Sequence, residues 1–507
     1  MKRNCLLLSI FSLVSLFLSS CDSNEEVKDL TLPTDLVVIE SNYLSSYLNL
    51  SSITIGKNIK EVHGSAFANC RELENVYYDG TILDWCSIKF QNAKSNPMFF
   101  ATNFYILQDG QYQLLNDIEI PNNISEIKEF TFAGFDIDKF TFSSSLNKFG
   151  ENAFKNATVS DIYYKGKISD WCKIEFDNFT STPVNENSNV FMYDANDSYY
   201  LIDDTLLIPS DVEIISDYQF ANFSSIDQII LSSNIKNIGK YAFVLKKDIK
   251  DKIKSLHYNG TISQWMNIVF EGRFSNPMEL SERIYMLNES KEYYEITSLD
   301  SIRLSDDVTK LGDYQLAGIQ NFENLYFSNS VKEINENVFG TYDVIIDNIY
   351  FAGSIKDWCE IDLKDKYTIA YDANNIYFME NDEYYLAESE LIIPSEVEVI
   401  KNNQFSGFKK VNTFVVSENI TSIGDNCFAN CYGLERIVLP TSLTSIGNDF
   451  ISGCGSLSGI FYLGTSDSWN QINKPNISVN VYYYSENEPE DSGNYWHYVD
   501  EKITIWE

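Results

Sequence analysis

"RIVLPTSLTSIGNDFISGCGSL", Arg436 to Leu457, runs from an apolar strand closed by Pro440 through a Ser-Ile-Gly step to a Phe three residues later. The stretch before it, "TFVVSENITSIGDNCFANCYGL" (Thr413 to Leu434), keeps the same order, and "LIIPSEVEVIKNNQFSGFKKV" (Leu391 to Val411) keeps it loosely. Pro394, Ser417, Pro440 and Leu463 stand 23 residues apart. A unit this short cannot bury its own apolar side. Stacking on like neighbours buries it, so the apolar positions must return in register. The spacing predicts one coil of a solenoid per 23 residues.

A longer repeat overlies the short one. "YYDGTILDWCSIKF" begins at Tyr77, "YYKGKISDWCKIEF" at Tyr163, "HYNGTISQWMNIVF" at His257, "YFAGSIKDWCEIDL" at Tyr350 and a degraded "FYLGTSDSWNQINK" at Phe461. Their tryptophans, Trp85, Trp171, Trp265, Trp358 and Trp469, are 86, 94, 93 and 111 residues apart, and the last gap is longer by about one coil. Each copy reads as an aromatic strand, a turn at Gly and a short helix carrying the Trp. Thr81 with Asp84, Thr261 with Gln264 and Ser354 with Asp357 have the spacing of an N-terminal capping box. Lys167 and the last copy do not fit it. The tryptophans are expected to be structural, sealing one edge of the core; the alternative is a stacking platform for sugar rings. After the helix, "SNPM" recurs at Ser95 to Met98 and Ser275 to Met278. "NFYILQDGQYQLL" and "NIYFMENDEYYLA" are expected hairpins that open each new block, two aromatic strands flanking a polar turn.

The short unit resembles the bacterial leucine-rich repeats of the BspA type, an apolar strand ending in Leu-Pro, then Leu-x-x-Ile-Gly, then Ala-Phe and Cys. "IVLPTSLTSIG" (Ile437 to Gly447), "SIGDNCFANC" (Ser422 to Cys431) and "GENAFKNA" (Gly150 to Ala157) carry the likeness best. Weaker copies such as "LLIPSDVEIISDYQFANF" and "IRLSDDVTKLGDYQLAGI" extend it over nearly all of residues 50 to 470. The expected fold is a β-rich α/β solenoid of leucine-rich-repeat coils, punctuated by hairpin and short-helix Gly-Thr-x-x-x-Trp-x-x-Ile elements. The resemblance implies a surface protein that adheres to macromolecules of a host or a neighbouring cell.

Residues 1–20 read as a lipoprotein signal peptide: Lys2 and Arg3, an apolar run from Leu6 to Leu18, then Leu-Ser-Ser-Cys. Its end resembles a lipobox, which makes Cys21 the lipidated residue. Residues 21–40 are the expected tether, 41–478 the solenoid and 479–507 a C-terminal β cap, with a hairpin over "NYWHYVD" and "KITIW". The chain would then be anchored to a bacterial membrane, facing outward, without spanning it. Removing Lys2 and Arg3 leaves 35 basic against 73 acidic residues, a charge of −38. Such a surface repels phosphate backbones and excludes nucleic acid as a partner. An aromatic content of 14% excludes a disordered acidic tail.

No catalytic or metal residues emerge, no cofactor is expected, and an enzyme is the least favoured class. His63, His257 and His497 stand in unrelated contexts. Asp203-Asp204, Asp306-Asp307 and "YDAND" (Tyr193 to Asp197) read as solvated acidic turns rather than calcium loops. Cys70, Cys86, Cys172 and Cys359 sit in slots that other copies fill with apolar or small residues, so they read as small hydrophobes. The pair that oxidation would join is Cys431 with Cys454, at equivalent places one repeat apart. The expected protein is a monomeric interaction scaffold binding an extracellular protein, or alternatively a glycan. Exposed Tyr and Trp in line on one face would favour the glycan.

Overall fold

The computed structural model describes residues 27–245, 252–297, 299–319, 322–340, 344–367 and 369–506. The chain divides into two compact units: one runs to Gly166 and takes in Ile174–Tyr200, and the other holds Lys167–Lys173 and everything from Leu201. Each unit is a β-solenoid built from blocks, and each block has a wide parallel sheet and a narrow one.

In the first unit, Asp29–Thr31, Ser52–Ile55, Asn75–Tyr78 and Asn103–Gln108 pair in parallel, and Gln111–Leu114 turns back antiparallel to close the sheet. Two-residue strands, Val38–Ile39, Glu61–Val62 and Lys89–Phe90, form the narrow sheet. The second unit repeats the plan from Asp204–Leu207 to Tyr293–Glu295 and again from Ser301–Arg303 to Glu383–Leu386. Register shows the period: Ile392, Val415, Val438 and Phe461 are successive partners, 23 residues apart at each step. Coils that carry a Trp helix are longer, Tyr77 pairing with Tyr105 and Tyr163 with Phe191 at steps of 28. The wide sheet beginning at Ser389–Ile393 has one more 23-residue step before its helix than the sheet beginning at Ser301–Arg303, which accounts for the long gap between Trp358 and Trp469.

The Ser-Ile-Gly step marks the closest approach of one coil to the next. A Cβ on Gly424 would lie 2.5 Å from the backbone N of Asn402, and one on Gly447 2.4 Å from that of Asp425. Two residues after this Gly the chain turns left-handed, at Asn152, Asn426 and Asp449, residues that tolerate a positive φ by local side-chain hydrogen bonding, and also at Tyr241 and Tyr314, which do not share that tolerance. This requirement explains the abundance of Asn and Asp at the coil corners.

Three expectations are corrected. The aromatic hairpins close blocks rather than open them, because their first strand extends the preceding parallel sheet. The solenoid starts inside 21–40, where a tether was expected: Asp29–Thr31 and Val38–Ile39 already pair with the coil that follows, supplying the apolar partners that its inner face needs. The last copy does have a capping box. Thr465 accepts from the Ser468 amide at 3.3 Å, and Ser468 Oγ accepts from the Thr465 amide at 3.1 Å, a hydroxyl taking the part usually played by an acid or amide. At the C-terminal end, Tyr495–Val499 and Lys502–Ile505 form the antiparallel hairpin and continue the last wide sheet.

Candidate functional site

The five tryptophans lie in the core. Trp85, Trp171, Trp265 and Trp358 are fully buried and Trp469 nearly so. Each of the first four donates from Nε1 to a backbone carbonyl of the following block: to Thr131 at 2.9 Å, Gln219 at 2.8 Å, Gln315 at 2.8 Å and Gln404 at 2.7 Å. Gln219 and Gln404 answer by donating to the carbonyls of Trp171 and Trp358. The Trp is thus a splice between consecutive blocks. The "SNPM" motif serves the same joint: the buried Asn96 donates to the carbonyls of Phe130 and Thr131, and Asn276 to those of Tyr314 and Gln315. In the last copy, Lys474 Nζ sits 5.0 Å over the Trp469 ring.

Cys21 lies outside the described residues. The seven described cysteines are all free thiols, Cys431 and Cys454 included. Cys70, Cys431 and Cys454 point at carbonyls 26 residues back, those of Leu44, Phe405 and Phe428. Among the described residues no three acidic, His or Cys side chains cluster as metal ligands. Asp194 instead accepts from the amides of Asn196 and Ser198 within its own turn.

What the chain does expose is the outer face of the wide sheets. Strand alternation sends one residue of each stamp inward and its neighbour outward. Tyr78 is buried against Trp85, and Gly80 lets its ring fold back, since a Cβ there would lie 2.6 Å from it. Tyr77 faces out and stacks on Tyr105 across the sheet at 4.7 Å. Equivalent ladders are Tyr163 on Phe191 at 4.6 Å, His257 on Tyr285 at 4.6 Å, and Tyr326, Tyr350 and Tyr377 at 4.5 Å per step. Lys139 Nζ lies 4.4 Å from the centre of Tyr163, and the Arg303 guanidinium 3.5 Å from that of Tyr326.

A fourth component recurs. From each returning antiparallel strand a tyrosine crosses beside the ladder, nearly perpendicular to its rings: Tyr112 to Tyr77 at 5.0 Å, Tyr199 to Tyr163 at 5.1 Å, Tyr293 to His257 at 5.1 Å and Tyr384 to Tyr350 at 5.1 Å. The Tyr112 hydroxyl donates to Asp79 and that of Tyr293 to Asn259. The ladder rings are half-buried and spend a face on one another, and the crossing ring is the more exposed of the two. These four tyrosines are 39%, 39%, 46% and 37% exposed. Burial and the Asp79 carboxylate push the Tyr112 hydroxyl up to about 12, so it remains a donor at any physiological pH.

Two residues earlier on the same outward face runs a row of amides. Asn103 donates to Asn75 at 2.9 Å, Asn189 to Asp161 at 2.9 Å, Asn348 to Asn324 at 2.8 Å and Asn375 to Asn348 at 2.9 Å. The last block differs. Its outward row of Val438 and Phe461 is buried under Trp496, which donates to the Tyr462 carbonyl at 3.1 Å and packs against Tyr484 and Tyr498. The crossing tyrosines and amide rows were not singled out from sequence. The available signal was the aromatic pair before each Gly, Tyr-Tyr twice, then His-Tyr, Tyr-Phe and Phe-Tyr.

Comparison with protein families matches the chain to the BspA type leucine rich repeat region in six copies, over residues 13–114, 110–191, 204–275, 282–361 and 382–475. No curated protein matches. Among solved structures, a leucine rich cell surface protein from Faecalibacterium prausnitzii is similar at 15% identity, covering 89% of this chain and 92% of that one, with a TM-score of 0.25. Leucine-rich repeat proteins from Bacteroides ovatus (13% identity, 90% and 91% covered, TM-score 0.29) and Eubacterium ventriosum (12%, 84% and 88%, 0.34) are also similar.

Proposed function

The chain belongs to the BspA-type leucine-rich-repeat family, and from that premise we propose that it is a lipid-anchored, cell-surface scaffold that adheres to an extracellular macromolecule through the outer faces of its wide sheets. The observation that carries this reading is the recurrence, block after block, of an aromatic ladder with a half-exposed crossing tyrosine. A core needs no such outward rows, and stiff aromatic side chains contribute contact area at low entropic cost. An acidic surface keeps the scaffold soluble and steers it away from polyanions. Cys21 supplies the anchor and Asp22 to Val27 the spacer before the first coil.

The test has three arms. Labelled palmitate should mark the protein, and Cys21→Ser should abolish the mark. Protease added to intact cells should release solenoid fragments. The full chain should capture a ligand from a mixture of matrix proteins and glycans, and substitutions on the outer face should weaken that capture. Retained label in Cys21→Ser, protection from protease, or capture indifferent to the outer face would each remove the corresponding part of the proposal. A second reading, binding to glycans, is favoured by the open faces of the crossing rings.

A further inference from the structure

We infer that the outer faces recognise a neutral polysaccharide, each of the four blocks contacting a sugar ring on its crossing tyrosine and three of them adding the hydroxyls of that chain on an amide row, which in the block of Tyr293 is replaced by Gln228, Ser255 and Arg283. The inference rests on the outer-face reading above and names its ligand class.

Three independent features converge. First, a pyranose offers a flat patch of C–H groups, and the complementary surface is a single aromatic face held still. Tyr112 and Tyr293 meet this condition, each tied at its hydroxyl and braced against a ladder ring. The stacked rows meet it less well, since their rings are half-buried and give a face to one another. Second, vicinal hydroxyls are donors and acceptors in one plane, best answered by planar amides. Asn has two N–H groups and an oxygen with two lone pairs. In the row Asn324, Asn348, Asn375, the side chain of Asn348 gives one N–H to Asn324 and accepts one from Asn375, so one donor and one lone pair remain. Third, charge selects among polysaccharides. With a formal net charge of −36, Asp161 in an amide row and Asp79 beside the crossing Tyr112, a sulfated or uronic-acid polymer is repelled. A neutral chain is not. Repetition then matters more than any single contact: weak sites linked on one scaffold reinforce one another on a repeating polymer.

The last block supplies an internal comparison. There the C-terminal hairpin covers the equivalent outward row with Trp496, so no crossing tyrosine stands over an open ladder, and the exposed ring, Tyr498 at 43%, belongs to the hairpin itself. Binding should therefore depend on the four crossing tyrosines and not on that block.

The experiment is affinity electrophoresis of the full chain through native gels containing α-mannan, β-glucan, xylan or galactan, with polygalacturonate as the anionic control and poly-lysine as a soluble competitor. We expect retardation by at least one neutral polymer and none by polygalacturonate. Replacing Tyr112, Tyr199, Tyr293 and Tyr384 together by Ala should weaken retardation at least tenfold, while the same four changed to Phe, which keep the ring, should stay within about threefold. Single Ala variants, each checked for an unchanged melting temperature, should show graded losses if the fourfold variant does not fold. No retardation by any neutral polymer, or retardation that folded Ala variants retain, overturns the inference. Should the outer face instead capture only a protein, or lose its ligand only to poly-lysine, the glycan falls and the scaffold reading stands; capture indifferent to the face removes both.

Discussion

Tyr78 and Tyr258 bury a phenol oxygen that makes no hydrogen bond, and the place they fill is taken in another copy by Phe351, which needs none. An unpaired buried hydroxyl costs about 1–3 kcal/mol, so removing it relieves more than the small lost volume costs. Tyr78→Phe and Tyr258→Phe should leave the melting temperature unchanged or raise it; a loss beyond about 1 kcal/mol in denaturant titration would show that the hydroxyls have a partner. The thiols obey the same logic of burial. It pushes Cys86, Cys172 and Cys359 up to about 12, whereas Cys454, partly exposed and lying beside the Cys431 thiol, is held below the usual thiol value by that neighbour. Native alkylation with iodoacetamide at pH 8, followed by peptide mapping, should therefore label Cys454 first. The pH dependence follows in sign. An unfolded thiol ionises near 9, while in the fold these three keep their protons to about 12, so over that window the unfolded chain binds fewer protons and stability falls as pH rises. Below the lower value they contribute no slope.

The Trp splice decides whether blocks melt together. Trp358 packs against Phe351, Phe378 and Phe408 and donates across the joint to Gln404. Trp358→Ala should cost about 3–5 kcal/mol for the cavity, and Trp358→Phe, which keeps most of the packing but loses the Nε1 bond, about 1–3 kcal/mol for the Gln404 carbonyl left unpaired. Calorimetry should show a single transition splitting in the Ala variant; if it only shifts, the splice is not what couples the blocks. The burial of this Trp was legible in the sequence because the stamp recurs with a fixed strand, Gly and helix around it. Its partner was not, because the accepting carbonyl is 46 residues away and carries no residue-type signal. The tyrosine pairs had the same ambiguity in a sharper form. Alternation says that Tyr77 and Tyr78 face opposite sides, but which one meets the core depends on the Gly after the pair and the Trp beyond it. The start at Asp29 escaped notice because the first coil has no stamp and only two short apolar strands.

At the scale of the whole chain, the period is the claim with the most consequences, because stability in a solenoid is roughly a sum of coil terms and nearest-neighbour interfaces. Deleting Ser417 through Leu439 removes 23 residues and joins Val416 to Pro440, the same kind of junction that Leu439 makes now. Ile393 pairs with Val416 in the intact sheet as Leu439 does with Tyr462, so after the deletion Val416 would simply meet Tyr462. The narrow sheet closes likewise, Ile400 now pairing with Ile423 and Ile423 with Ile446, and then directly with Ile446. Trp469 and the Trp496 hairpin would move one coil nearer as a body. A deletion of about half that length from the same point brings a strand onto a corner. It turns apolar side chains outward and sets a left-handed position such as Asn430 or Asp449 against an extended one. The full-period deletion should therefore be monomeric by size exclusion and melt cooperatively, at a temperature lowered by no more than the loss of one coil and one interface. The half-period deletion should aggregate or be degraded. Equal failure of both would mean that the joint between coils is not interchangeable, and that the extra coil between Trp358 and Trp469 is held by contacts particular to it.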